Sequence, residues 1–252
     1  MQATIDQLKS LRLNGLLTAW REQQTSSTYH DLSFDERFAL LVEREYLRRQ
    51  NLRVERRLKQ ARLPITAAVE DLDFKRPRGL SKTQVLDWSQ GQWVHDHLHL
   101  LLMGPTGVGK TFLASALAHR LCQHQYSVRY FKTAELVTEL KFAKADGSFA
   151  KLRKSLASFH LLILDEWLRD PLSANDAREL LDLLDQHYRC SSCLFATQLP
   201  VEQWHQQIQD PTLADAMLDR IVHDSLRVSL SGESMRKLTS PLQTSKKTTG
   251  HE

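Results

Sequence analysis

The chain has 252 residues, 41% hydrophobic and 25% charged, with a net charge of +4. That is enough to bury the core of one domain plus a smaller appendage. No run of about eighteen apolar residues occurs, which excludes a membrane-spanning helix. The N-terminus, MQATIDQLKSLRLNGLL, carries acid and lacks the basic start, apolar stretch and small-residue cleavage site of an export signal. A cytoplasmic protein is expected. Cys122, Cys190 and Cys193 are an odd number, which argues against a disulfide framework, and the Cys190–Cys193 pair has no second pair to complete a zinc site.

The N-terminal third reads as helical. Ser33 and Glu36 form a capping box, Phe38, Leu41 and Val42 come next at helical spacing, and the helix is expected to run to about Leu63, because Pro64 opposes continuation. Residues 1–95 hold 16 Lys and Arg against 12 Asp and Glu, whereas residues 96–252 hold 18 of each, so the surplus charge lies in this third. It concentrates in LRRQNLRVERRLKQARL, where Arg48, Arg49, Arg53, Arg56, Arg57, Lys59 and Arg62 face one acid, Glu55. Such a run is either a solvated helix face or a surface that binds nucleic-acid phosphates. Residues 64–96, with Trp88 and Trp93, read as a connector with a short helix that packs on the next part of the chain. His95, His97 and His99 alternate and read as polar strand-edge residues.

From Leu98 strands and helices alternate. Strands are expected at 98–103, 127–131, 161–164 and 193–196, and helices at 111–124, 134–144 and 173–188, which implies a parallel sheet covered on both faces. The expected organisation is a helical N-terminal domain over 1–63, the connector 64–96, a nucleotide-binding domain over 97–239, and a tail from 240 to 252 polar enough to be disordered.

GPTGVGKT at 104–111 satisfies G-x-x-x-x-G-K-[ST] after an apolar strand and before a helix. Gly104, Pro105, Thr106, Gly107, Val108 and Gly109, with the start of the helix through Phe112, would wrap the backbone around phosphates, with several N–H groups facing the anion. Lys110 would reach the terminal phosphates, and the Thr111 hydroxyl would ligate Mg2+. LLILDE at 161–166 delivers Asp165 and Glu166 at a strand's C-terminal end. Asp165 would hold the metal through water, and Glu166 would orient or deprotonate the attacking water. Gln198, after CLFAT, is either a group touching the γ-phosphate or a turn residue. Arg220, alone in MLDRIV, reads by itself as a surface charge.

Together RLKQARLP, LDF, GPTGVGKTFLA, LLILDEW, ATQLP, LADAMLDRIVH and GESMRK resemble IstB, the AAA+ helper ATPase that bacterial insertion sequences encode beside their transposase. The resemblance covers nearly the whole chain. It implies an AAA+ core and an ATP-hydrolysing homo-oligomer with sites at subunit interfaces. It also implies binding and remodelling of duplex DNA and recruitment or stimulation of the transposase. By position, Gln198 resembles the AAA+ sensor, though Asn is more usual there, Arg220 the arginine finger, and Arg236 a second sensor. The related helicase loader DnaC has a similar core, so replicative helicase loading is the alternative. A small-molecule kinase fits the first motif but not the paired acids, the candidate finger or the basic helix.

Overall fold

Five short segments become one parallel sheet in the computed structural model, which describes residues 1–235. The strands are β1 (His99–Met103), β2 (Val128–Lys132), β3 (Leu161–Asp165), β4 (Ser192–Thr197) and β5 (Ser225–Ser229), in the order β2-β3-β4-β1-β5. Every pair is parallel, with Met103 beside Thr197 and Asp165 beside Ala196, so the C-terminal ends of the central strands open side by side. Side chains alternate across the sheet. Leu100, Leu102, Ile163, Leu194 and Ala196 join one core, while Leu101, Leu162, Leu164, Cys193 and Phe195 join the other. Burial on both faces is what makes these strands read as continuous apolar runs rather than alternating ones.

The described residues form two compact units, Met1–Arg56 and a second that begins at Arg57. The helices are α1 (Gln2–Ser10), α2 (Asn14–Thr25), α3 (Phe34–Ala61), α4 (Lys82–Gln90), α5 (Gln92–His95), α6 (Lys110–Gln123), α7 (Thr133–Ala145), α8 (Phe149–Leu156), α9 (Ala174–His187) and α10 (Pro211–Val222). On one face of the sheet, Leu113, Leu117 and Leu121 of α6 pack with Val85 and Trp88 of α4 and Trp93 of α5. On the other, Leu136 and Leu140 of α7 meet Leu180 and Leu183 of α9 and Met217 and Ile221 of α10. α3 starts as its capping box predicts: Glu36 Oε2 accepts from Ser33 N at 2.8 Å and Ser33 Oγ accepts from Glu36 N at 3.3 Å. It stops at Ala61 rather than Leu63, because Arg62 turns left-handed (φ 52°) ahead of the proline.

The histidine run is a correction. His95 ends α5, His97 sits in a left-handed turn (φ 58°), and only His99 lies in a strand. β1 runs between β4 and β5, so its first residue is covered: His99 is 3% exposed and its Nδ1 accepts from Cys193 N at 3.1 Å. Burial lowers its pKa to about 4, against the smaller opposing effect of Asp224. Cys190 is exposed and Cys193 is buried in β4, its thiol pushed up to about 12 by burial. The tail from 240 to 252 and Arg236 lie outside the described residues.

Candidate functional site

The loop 104–109 leaves β1 and enters α6 over the open ends of the strands. Gly104 has φ 142°, and a Cβ there would lie 2.2 Å from the Leu230 carbonyl oxygen, so no other residue fits without moving backbone. α6 begins at Lys110, and the N–H groups of a helix's first turn have no partner within the helix, so they make the loop's concave side electropositive. Lys110 Nζ bends back to donate to the carbonyls of Gly104 at 2.6 Å and Pro105 at 2.9 Å. Burial lowers its pKa, and the neighbouring Asp165 carboxylate opposes that shift.

Asp165 ends β3, is 4% exposed, and collects four contacts. Its Oδ2 accepts from the Thr111 hydroxyl at 2.7 Å and from the Tyr130 hydroxyl at 2.9 Å, its Oδ1 accepts from Glu166 N at 2.8 Å, and its carbonyl accepts from Thr133 Oγ1 at 3.0 Å. Burial, then the Asp165 charge, holds the Tyr130 phenol well above its ordinary pKa, so it stays a donor. The chain then turns sharply. Glu166 (φ 55°) and Leu168 (φ 53°) are both left-handed, a conformation that L-residues keep only where surroundings enforce it. Trp167 supplies that enforcement: its N–H reaches the Ala196 carbonyl at 2.9 Å and its ring meets Phe195 edge-on at 4.8 Å. Thr197 Oγ1 closes the turn by donating to the Trp167 carbonyl at 2.8 Å. Glu166 is thereby turned toward the cavity, where Arg169 Nη1 reaches its Oε2 at 2.5 Å and Lys132 Nζ stands 3.9 Å from its Oε1. The Arg169 guanidinium is held above its ordinary pKa by its hydrogen bond with Asp170 and then by Glu166.

Several of these groups line one cavity of about 520 Å3. Thr106, Gly107, Gly109, Lys110, Thr111, Phe112, Asp165, Glu166 and Gln198 all face it. Gly104, Pro105 and Val108 shape the loop from behind, with Val108 fully buried. A sheet of this order, carrying its loop at the strand ends, has the geometry of nucleotide-binding α/β folds.

The family profile described as IstB-like ATP binding protein matches residues 6–243. The chain belongs to this family. Among its relatives, y4pL of Sinorhizobium fredii, by name an insertion sequence ATP-binding protein, is 39% identical over 93% of this chain and 96% of its own. The IS1162 ATP-binding protein of Pseudomonas fluorescens, likewise so named, is 42% identical over 79% of this chain and 87% of its own. Among solved structures, DnaI superposes with a TM-score of 0.57 at 19% identity, covering 66% of this chain and 91% of that one, a likeness of fold alone. The IstB-like chain thus carries a five-stranded parallel sheet flanked by helices, with a helical N-terminal region.

Not every residue singled out from the sequence meets at this cavity. Arg220, in the last turn of α10, pairs instead with Asp185 of α9, and its Nη1 donates to the Ala216 carbonyl at 2.9 Å. Arg48, Arg49, Arg53, Arg56, Arg57 and Lys59 all lie on α3. Arg49 and Arg48 are engaged with Glu45, at 2.8 and 3.5 Å, Arg57 is half-buried, and Arg53, Arg56 and Lys59 are exposed. Conversely, sequence reasoning passes over Arg78, Tyr130 and Arg169. Tyr130 and Arg169 lie in segments that the motifs already mark, beside the acidic strand. Arg78 sits 26 positions before Gly104 with nothing in its local pattern to single it out.

Proposed function

We propose that this chain binds ATP with Mg2+ at the 104–112 loop and hydrolyses it, as a helper ATPase of DNA transposition that assembles on duplex DNA and recruits or stimulates a partner transposase. The observation that carries the ATPase reading is the 2.7 Å contact between Thr111 Oγ1 and Asp165 Oδ2, which joins the loop to the acidic strand with Glu166 next in sequence. In this reading Lys110 leaves the loop carbonyls for the β- and γ-phosphates, and the α6 N–H groups hold the remaining oxygens. Thr111 and Asp165 are hard oxygen donors, the set Mg2+ takes, and the metal would neutralise charge across the phosphate oxygens. Glu166 orients and deprotonates water, and Gln198, at the β4 end, contacts it or the γ-phosphate. Arg236 is the candidate second sensor.

The insertion-sequence names of the relatives support the transposition role over helicase loading, for which only the fold speaks. Binding to DNA is assigned to the phosphate backbone, through Arg53, Arg56 and Lys59 first and Arg48, Arg49 and Arg57 after them, so affinity should be insensitive to sequence and fall steeply with salt. The ATPase test is a pair of substitutions. Lys110→Ala removes charge used in ground-state binding and is expected to abolish tight ATP binding, while Glu166→Gln keeps binding and stops turnover. ATP affinity of Lys110→Ala equal to that of the unaltered protein would sink the assignment.

A further inference from the structure

Arg78 is a cation in an unusual position. It lies between Asp73 and α4 and is only 7% exposed, yet it lines the 520 Å3 cavity. Its Nη2 donates to the Asp73 carbonyl, its Nη1 reaches the Val108 carbonyl only at 3.4 Å, and its Nε is buried with no hydrogen-bond partner. Among the described residues no carboxylate lies within ion-pair distance of it. The Asp73 side chain is turned elsewhere, with Oδ2 3.2 Å from Arg76 Nε and Oδ1 accepting from Lys75 N at 2.9 Å. A guanidinium this enclosed is costly unless an anion answers it, because carbonyl dipoles return only part of the lost hydration.

The position of the guanidinium says where that anion would sit. A Cβ built on Gly109 would be 3.3 Å from Arg78 Nη1, so the head group lies against the residue that immediately precedes α6. In loops of this type the backbone N–H groups there cradle the α- and β-phosphates. Lys110 points the other way, to Gly104 and Pro105. The backbone of Arg78 is itself fixed, since its carbonyl accepts from Ser231 N at 3.0 Å, just after β5.

We infer that Arg78 is a further nucleotide-contact residue, placing its charge at the α/β-phosphate end of the bound nucleotide, which supplies the counter-charge that the polypeptide withholds. The inference rests on the ATP reading above. It adds that the segment ahead of β1 takes part in phosphate recognition, and that this part does not distinguish ATP from ADP.

The test measures Kd for ATP and for ADP by calorimetry with Arg78→Met, Arg78→Lys and Lys110→Ala, together with the Tm of each protein without nucleotide. Arg78→Met is expected to weaken ATP and ADP alike, by about 10- to 100-fold, the range of a charge-assisted hydrogen bond. Arg78→Lys, which keeps the charge but loses the fork, should recover most of that loss. The Tm of nucleotide-free Arg78→Met should rise, since an unanswered buried charge has been replaced by an apolar side chain of similar length. Arg78→Met binding within twofold of the unaltered protein overturns the inference. So does a loss confined to ATP, or an Arg78→Lys no better than Arg78→Met, which would leave Arg78 as a structural tie to Val108. If the unaltered protein binds neither nucleotide, or Lys110→Ala binds as it does, the ATP reading itself fails, whatever Arg78 does.

Discussion

Glu166 leaves β3 through a left-handed turn, and its carboxylate is already engaged, 2.5 Å from the Arg169 guanidinium. In the proposed mechanism this contact must be released before the carboxylate can act on water. Both partners are substantially solvent-exposed, 47% for Arg169 and 33% for Glu166, and pairs of this kind contribute about 0.2–1 kcal/mol. Removing the tether should therefore raise the unstimulated rate, but by no more than about fivefold. Steady-state turnover of Arg169→Ala at saturating ATP measures this; a fall in rate would mean that Arg169 works on the nucleotide instead of restraining Glu166. The motif residues were legible in the sequence because backbone geometry demands glycine at Gly104 and because Thr111 and Asp165 come from two independent patterns that the fold joins at 2.7 Å. Tyr130, Arg169 and Arg78 were not, since each owes its place to what packs beside it rather than to its sequence neighbours.

At the scale of elements, the N-terminal unit is organised around one buried acid. Glu45 of α3 is 6% exposed, and its Oε2 accepts from the N–H groups of Gly15 at 2.6 Å and Leu16 at 3.3 Å, so a carboxylate closes the electropositive start of α2. Gly15 permits this approach: a Cβ there would lie 2.8 Å from that oxygen. Burial alone would raise the Glu45 pKa, but the hydrogen bonds from Arg49, Gly15 and Leu16, with the Arg48 charge, outweigh it and hold it below the usual 4.5. A lowered pKa means that the contribution is fully present above 4.5 and is lost as pH falls through the folded value. Glu45→Ala strands two amides and should destabilise the unit by about 1–3 kcal/mol, read as faster hydrogen exchange in α2 by about 5- to 150-fold near neutral pH. Unchanged protection would mean that water replaces the carboxylate at no cost. This acid is not legible in the sequence, because positions 15 and 45 meet only through tertiary packing. The same limit explains why β5, whose SLRVS mixes polar with apolar residues at a sheet edge, leaves no clear pattern, whereas apolar runs such as LLILD declare themselves.

At the scale of the whole molecule, the open question is whether one chain holds a complete site. Arg220 does not line its own cavity; it is tied to Asp185 and to the Ala216 carbonyl. If it is the finger that the family resemblance implies, it must swing out to serve a neighbouring chain, and an isolated chain should hydrolyse ATP slowly. Turnover per chain should then rise with protein concentration and with DNA, which gathers and aligns neighbours. Arg220→Ala should still bind ATP, because Lys110 and the loop amides remain, yet lose most of the stimulated rate; fingers of this kind contribute about 10³ to 10⁵ in rate. Mixing Arg220→Ala with Glu166→Gln decides between action across an interface and action within a chain. In a mixed assembly some interfaces pair an intact Glu166 with an intact Arg220 from the neighbour, so a finger acting in trans restores part of the rate. If Arg220 merely holds α9 to α10, its replacement should lower Tm, and no mixture that co-assembles on DNA should recover activity. That second outcome would remove the strongest reason for expecting catalysis to require more than one chain.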